Sequence, residues 1–475
     1  MQPESPPSAR YGSAILPRHP SGRRSRLPFD RFMVAIALVV ICALGGGASR
    51  TDTLSLLYVR PFAALALFAT LMHPTPVTLQ RVRVPLILLS AFAGWIVFQL
   101  IPLPPPLWSS LPLRGAIMQG LQSIGENVGW RPISLTPDLT LNSLIALVVP
   151  TALLVTAADL TARQQGWLAV VVVGVAASSI VVEVAQVAGG PHSPFYLYAV
   201  SNVGTPSGLF ANRNHQAVFL ACILPLLTVI SHPRFSGRHV LPITWSSLAF
   251  ALITFTAVIS TGSRTGMLIA IPLMLYTVST GINYVFSDRK MRRTIKLATA
   301  IAPIVLGLTM LMLGRALSLD RLTGFDAASE QRFKALPTLL QMSKDLIVTG
   351  SGFGSFDQVF RMVEPDALLH ATFFNHAHND WLELVITGGI PALAVLIGFV
   401  TWTAMALIRR LWETPSFAAT LGRAGGFIVL AIGASSLTDY PLRTPWLSGL
   451  LALATAWLAF DFDNRANVAN AARSA

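Results

Sequence analysis

Charge is what this sequence has least of. Asp, Glu, Lys and Arg make up 12% of its 475 residues, against roughly 25% in an ordinary soluble domain, and that scarcity excludes a water-facing globular surface over most of the chain. Cysteine is nearly absent too. The two present, Cys42 and Cys222, both sit inside apolar runs far apart in sequence, which argues against a disulfide framework and against a cysteine-built metal site. Phosphate-cradling glycine loops are missing: "GSGFGSF" (350–356 with its neighbours) fits neither G-x-G-x-x-G nor a P-loop, because no G-K-[S/T] follows. "GSRTG" is not the G-x-S-x-G turn of a serine hydrolase.

In place of charge, the chain is 53% hydrophobic, and apolar runs of about 20 residues, enough to cross the hydrocarbon of a bilayer, recur from end to end. Lipid offers the backbone no hydrogen-bond partners, so such runs must be helical. The expected fold is an all-α polytopic membrane protein with about twelve spans, near 32–49, 54–73, 84–103, 138–158, 167–188, 208–230, 240–259, 264–281, 296–314, 383–407, 424–439 and 444–461.

The net charge of +13 is distributed as a topology signal rather than a nucleic-acid patch. "LQRVR", "HPRFSGRH", "SDRKMRRTIK" and "RRLWETPSFAATLGR" all fall in even-numbered connections, and the positive-inside rule makes those cytoplasmic. Both termini are then cytoplasmic as well. Residues 1–30, rich in Pro, Ser and Arg without a hydrophobic pattern, read as a disordered cytoplasmic tail. An N-terminal block of membrane helices follows at 31–204, then a region at 205–407 that carries the polar motifs, and C-terminal helices and tail at 408–475. Two outer connections are long: 104–137, where the prolines of "PLPPPLW" forbid helix continuation, and 315–382, expected to hold short helices packed over the outer face.

Ionisable residues at membrane depth are expensive and point to function. They collect on the outer side of this topology: Asn212, Arg213, Asn214 and His215 where the sixth span begins, Arg264 where the eighth begins, Arg332 in the long loop, His376, His378, Asn379, Asp380 and Glu383 in "NHAHNDWLELV", and Asp439 and Arg443 between the last two spans. The bland readings are interfacial anchoring for the arginines and helix capping for Asn379, Asp380 and Glu383. Capping does not need two histidines. "HAH" with His370 upstream makes a poor zinc set, having no cysteine or placed carboxylate beside it. Arginine forks match phosphate oxygens, and a histidine can take a hydroxyl proton near neutrality. The set suits attack of a hydroxyl on a carbon that bears a diphosphate leaving group.

"GLFANRNHQAVFLACILPLL", "STGSRTGML", "RFKALPTLLQMSKDLIVTGSGFGSF" and "HAHNDWLELVITGGIPALAVL", in this order, resemble the O-antigen ligase family of O-antigen ligases and related O-antigen and exopolysaccharide polymerases; "DYPLRTPW" resembles the end of the polymerases. The resemblance implies a GT-C-like helical fold with a large periplasmic loop between the ninth and tenth spans. It implies a metal-independent, inverting glycosyltransferase of the bacterial inner membrane that uses no cofactor and faces the periplasm. Its donor would be an undecaprenyl-diphosphate-linked glycan, and its acceptor a hydroxyl of lipid A core or of a second lipid-linked glycan, with the polymerase reading favoured. Carried over residue by residue, His378 would be the base with His376 as a further candidate, and Arg264 and Arg332 would hold diphosphate, assisted by Arg213 and Arg443. Where many relatives have a tryptophan, this chain reads "RFKALP" after Arg332. The rival reading is a transporter or flippase of lipid-linked glycans, which should show midplane polar breaks and an inverted repeat; no repeat is apparent.

Overall fold

The computed structural model describes residues 30–72, 80–286, 288, 290–291, 293–294, 327–369 and 374–460. The expected tail, save Asp30, and the expected ninth span at 296–314 lie outside them, as does His370. In chain order the helices are α1 (Arg31–Gly45), α2 (Leu56–Leu71), α3 (Arg83–Phe98), α4 (Pro105–Ser109), α5 (Gly115–Ser123), α6 (Pro137–Ala146), α7 (Val148–Ala158), α8 (Ala162–Gly189), α9 (Arg213–Ile230), α10 (Pro233–Ser236), α11 (Val240–Ser260), α12 (Arg264–Val285), α13 (Ala327–Asp345), α14 (Phe356–Arg361), α15 (Asp380–Trp412), α16 (Phe417–Ser435) and α17 (Pro445–Leu458). Seven stretches among the described residues are long and apolar enough to cross a membrane, and α1, α2, α3 and α17 are shorter apolar helices. Each coincides with an expected span to within several residues, so the expectation of twelve full-length spans is met by seven, with four shorter ones beside them.

α9 is the hub. It is apolar on every side, and its residues from His215 to Val229 are buried; a helix hydrophobic all round belongs inside a bundle. It packs against α8, α11, α12 and α16. α17 closes the core on another side, against α7 and α16.

The prolines of "PLPPPLW" do more than stop a helix. They begin α4, with Pro at its first positions, where a missing N–H costs nothing. A two-stranded antiparallel ribbon, Pro102–Leu103 with Arg131–Pro132, ties the ends of this connection together, a feature the hydropathy pattern did not announce. Short helices are indeed found in the second long connection, where α13 packs against α15.

The glycine run finds its purpose at a kink. α15 carries a non-helical residue, Gly389, at φ 63° and ψ −159°, and Pro391 follows. Pro391 has no N–H to offer the carbonyl of Thr387, and the N–H of Ile390 donates instead to Ile347 O at 2.7 Å. The released carbonyls are taken up by other segments. Ser351 N donates to Ile386 O and Gly352 N to Thr387 O, both at 3.0 Å. Gln99 Nε2 also reaches Thr387 O at 2.9 Å, and Trp95 Nε1 reaches Gly388 O at 2.7 Å. Gly350 must be glycine here: its φ is +71°, and a Cβ would lie 2.2 Å from Thr387 O. The motif that failed as a phosphate loop is a clamp on a bent helix.

Candidate active site

The beginnings of α9, α12 and α15 and the turn between α16 and α17 meet at one end of the bundle. α15 starts by capping: Asn379 Oδ1 accepts from Trp381 N and Leu382 N at 3.1 and 3.0 Å, as the capping reading expects. That frees Asp380 and Glu383 for other partners. Arg443, from the α16–α17 turn, places Nε 3.1 Å from Asp380 Oδ1 and Nη2 3.1 Å from Glu383 Oε1. Both carboxylates are buried. Glu383 also accepts from Ala377 N at 2.9 Å and lies 3.0 Å from His376 Nδ1. Burial opposes the charge on Arg443, but the two carboxylates more than offset it and hold its pKa above the usual arginine value. Expected as a diphosphate ligand, Arg443 is engaged as the internal counterion of two acids.

His378 is bent into the site by its backbone, with φ at +52°, a left-handed conformation that a histidine adopts rarely. Its Nδ1 stands 3.6 Å from Asp439 Oδ1. Asp439 is buried at 2% exposure and is fixed from several directions. Asn214 Nδ2 donates to its Oδ2 at 2.7 Å, Tyr440 N donates to its Oδ1 at 3.0 Å, and His215 Nε2 stands 4.0 Å from Oδ1. Burial alone would raise the Asp439 pKa, but His378, His215 and Arg332 hold it well below the usual carboxylate range. Burial and the Arg332 guanidinium push His378 down, and Asp439 only partly restores it. A histidine so placed is neutral at neutral pH and able to accept a proton.

Tyr440 stands between the two histidines. Its ring centroid is 4.6 Å from that of His376 and 4.8 Å from that of His378, with His215 at 5.4 Å. Burial and the neighbouring Asp439 raise its pKa above the ordinary phenol value, so the hydroxyl keeps its proton.

The other expected arginines gather on the His378 side. Arg332, on α13, donates from Nη1 to Thr438 O at 3.4 Å, and its buried Nε has no partner among the described residues. Arg264 begins α12, capped by Ser263, and the adjacent Thr265 hydroxyl lies 2.9 Å from that of Thr438. Gly262, next in line, has Arg213 as its neighbour: a Cβ there would be 3.8 Å from Arg213 Nη1. Three guanidinium-bearing residues and His378 are thus ordered around the Thr438–Asp439 turn. On the other side of Tyr440, His376, Asp380, Glu383 and Arg443 line a cavity of about 530 Å³.

Sequence reasoning noted Asp439 as a polar residue but gave it no part, and it passed over Tyr440 and the Asp380–Glu383–Arg443 set. The signal was present in "LTDYPLRTPW", where an acid, a phenol and a base share one short turn between spans.

The family model described as O-antigen ligase matches residues 249–397. That segment runs from α11 into α15 and holds Arg264, Arg332, His376 and His378, whereas Arg213, Asp439, Tyr440 and Arg443 lie outside it. No curated protein matches the chain.

Proposed function

We propose, from the O-antigen ligase family model that matches residues 249–397, that the chain is a periplasm-facing, inverting glycosyltransferase that moves a glycan from undecaprenyl diphosphate to a hydroxyl, with a second lipid-linked glycan as acceptor in the manner of a polymerase. The supporting observation is the Thr438–Asp439 turn. Its Thr438 carbonyl takes the Arg332 guanidinium, and the next residue presents a carboxylate to His378.

In this reading the acceptor hydroxyl attacks the anomeric carbon of the donor sugar from the face opposite the diphosphate. His378 receives the hydroxyl proton as the new C–O bond forms, and Asp439 balances the imidazolium that results. The bond to the diphosphate oxygen breaks, and the departing charge is met by Arg264, Arg332 and Arg213. Their guanidinium forks fit phosphate oxygens. Arg443 keeps the start of α15 in register through its two carboxylates. His376, backed by Glu383, stands where it could take the proton in place of His378. The distribution of basic residues between spans supports cytoplasmic termini and a periplasmic site, and the inner membrane is proposed from the family likeness.

The test is purified protein in lipid nanodiscs with an undecaprenyl-diphosphate glycan, candidate hydroxyl acceptors and EDTA. A longer glycan of inverted anomeric configuration, with undecaprenyl diphosphate released at the same rate with or without EDTA, is the expected result. Movement of the donor across the bilayer with no covalent change would replace this reading with a transporter.

A further inference from the structure

A second cavity adjoins the first and lies among apolar helices. α2 leans on α7, whereas α3 packs on α6 and α15, and between them runs an apolar cleft of about 640 Å³. Two of its walls are helical stripes, Arg60, Ala64 and Leu67 on α2 and Leu86, Ser90 and Ala93 on α3, spaced as residues of one face must be, and Leu144 to Thr151 of α6 and α7 form the third. The small side chains Ala64, Ser90 and Ala93 keep the cleft open. Arg60, Leu89 and Leu147 line both this cleft and the cavity that ends at His376 and Arg443, so the two adjoin and together offer a passage to the site.

Charge along the passage is uneven. Inside the cavity Arg50 is matched by Asp52 at 2.6 Å, and Arg443 by Asp380 and Glu383. The remaining polar lining, including Asn142, Asn375, Asp357 and Gln358, suits sugar hydroxyls rather than further anions. Arg60, at the junction, is different. Its Nη1 donates to the neutral Asn142 Oδ1 at 2.6 Å, and its buried Nε has no partner among the described residues. A guanidinium at membrane depth without a carboxylate calls for an anionic ligand.

We infer that this passage is the acceptor site: a polyprenyl chain lies in the α2–α3 cleft, its diphosphate meets Arg60, and its glycan runs through the cavity to present a hydroxyl at His376, whose ring lies against Tyr440. A cleft of about 640 Å³ takes one chain rather than the several acyl chains of a lipid A core, which commits the occupant to a single-chain lipid. The inference rests on the transferase reading above and specifies which substrate takes which side of Tyr440.

The experiment uses the full chain in nanodiscs and two probes. One is a polyprenyl-diphosphate glycan with its terminal hydroxyl blocked, so that it can only donate. The other is a polyprenyl glycan with a methylene-bridged phosphonate, so that it can only accept. Ala93→Trp and Arg60→Gln should each raise KM for the acceptor about tenfold while donor KM and kcat stay within twofold. A short-prenyl acceptor should be indifferent to Ala93→Trp yet still sensitive to Arg60→Gln. Unchanged acceptor KM, a rise in donor KM instead, or preferential use of a multi-acyl glycolipid overturns the assignment. A photoreactive residue in place of Ser90 supplies a readout that does not need turnover. It should form an adduct with the accept-only polyprenyl probe that excess unlabelled probe competes away. Absence of that adduct sinks the cleft assignment even if transfer is normal. Its presence in a protein that transfers nothing would sink the transferase reading and leave the binding site standing.

Discussion

His378 Nδ1 and Asp439 Oδ1 face one another at 3.6 Å across two segments sixty residues apart, and the same carboxylate is the nearest acid to His215. This pair links the histidine-bearing segment before α15 to the turn between α16 and α17.

Replacing His378 by Ala is expected to lower kcat/KM by about 10²–10⁴-fold, the usual worth of a general base, with unaltered thermal unfolding in detergent. His376→Ala should cost less. If the order is reversed, His376 backed by Glu383 is the base.

The pH profile follows from the direction of the His378 shift. Burial and Arg332 depress its pKa, so the neutral base is fully present at pH 7 and is lost only on acidification below the ordinary value of about 6.5. kcat/KM should therefore be flat through neutrality and fall on the acid side. Asp439→Asn removes the group that favours the imidazolium, so the acid limb should move to still lower pH while the maximal rate drops. A merely structural Asp439 would leave the position of the limb where it was.

Arg443 predicts a stability phenotype. Arg443→Gln strands two buried carboxylates, a loss of about 3–5 kcal/mol for a broken buried pair. It should appear as a lower unfolding temperature and poor yield. Glu383→Gln combined with Arg443→Gln should recover part of that loss.

Arg264→Lys and Arg332→Lys should instead leave unfolding alone and reduce kcat by on the order of 10- to 100-fold, because a point charge cannot reproduce a two-pronged contact with diphosphate oxygens. Wild-type turnover by either variant would reduce that arginine to an anchor of its helix.

Much of this architecture could be read from composition, because lipid leaves the backbone little choice. Among the described residues the long apolar runs are helices near their expected places, and Asn379 caps α15 as its position suggested. The shorter helices α1, α2, α3 and α17 differ from the expected spans because their ends fold into turns, which hydropathy averages over. The partners of Arg443 were hidden for another reason. Asp380 precedes it by 63 residues, and nothing local distinguishes an arginine that anchors to headgroups from one that meets two acids. Likewise "GSGFGSF" showed only that glycine was needed; that the need arose from the carbonyls freed above Pro391 depends on a helix some forty residues further on.

The order in which these pieces leave the ribosome carries one more implication. The clamp on α15 draws on Trp95, Gln99 and residues 350–353, all synthesised before the helix they hold. The carboxylate behind His378 and the counterion of Glu383 come from residues 439 and 443, which are made after that helix. If His378 is the base proposed above, the helix start that carries it becomes competent only once a later turn has been made and docked beside it.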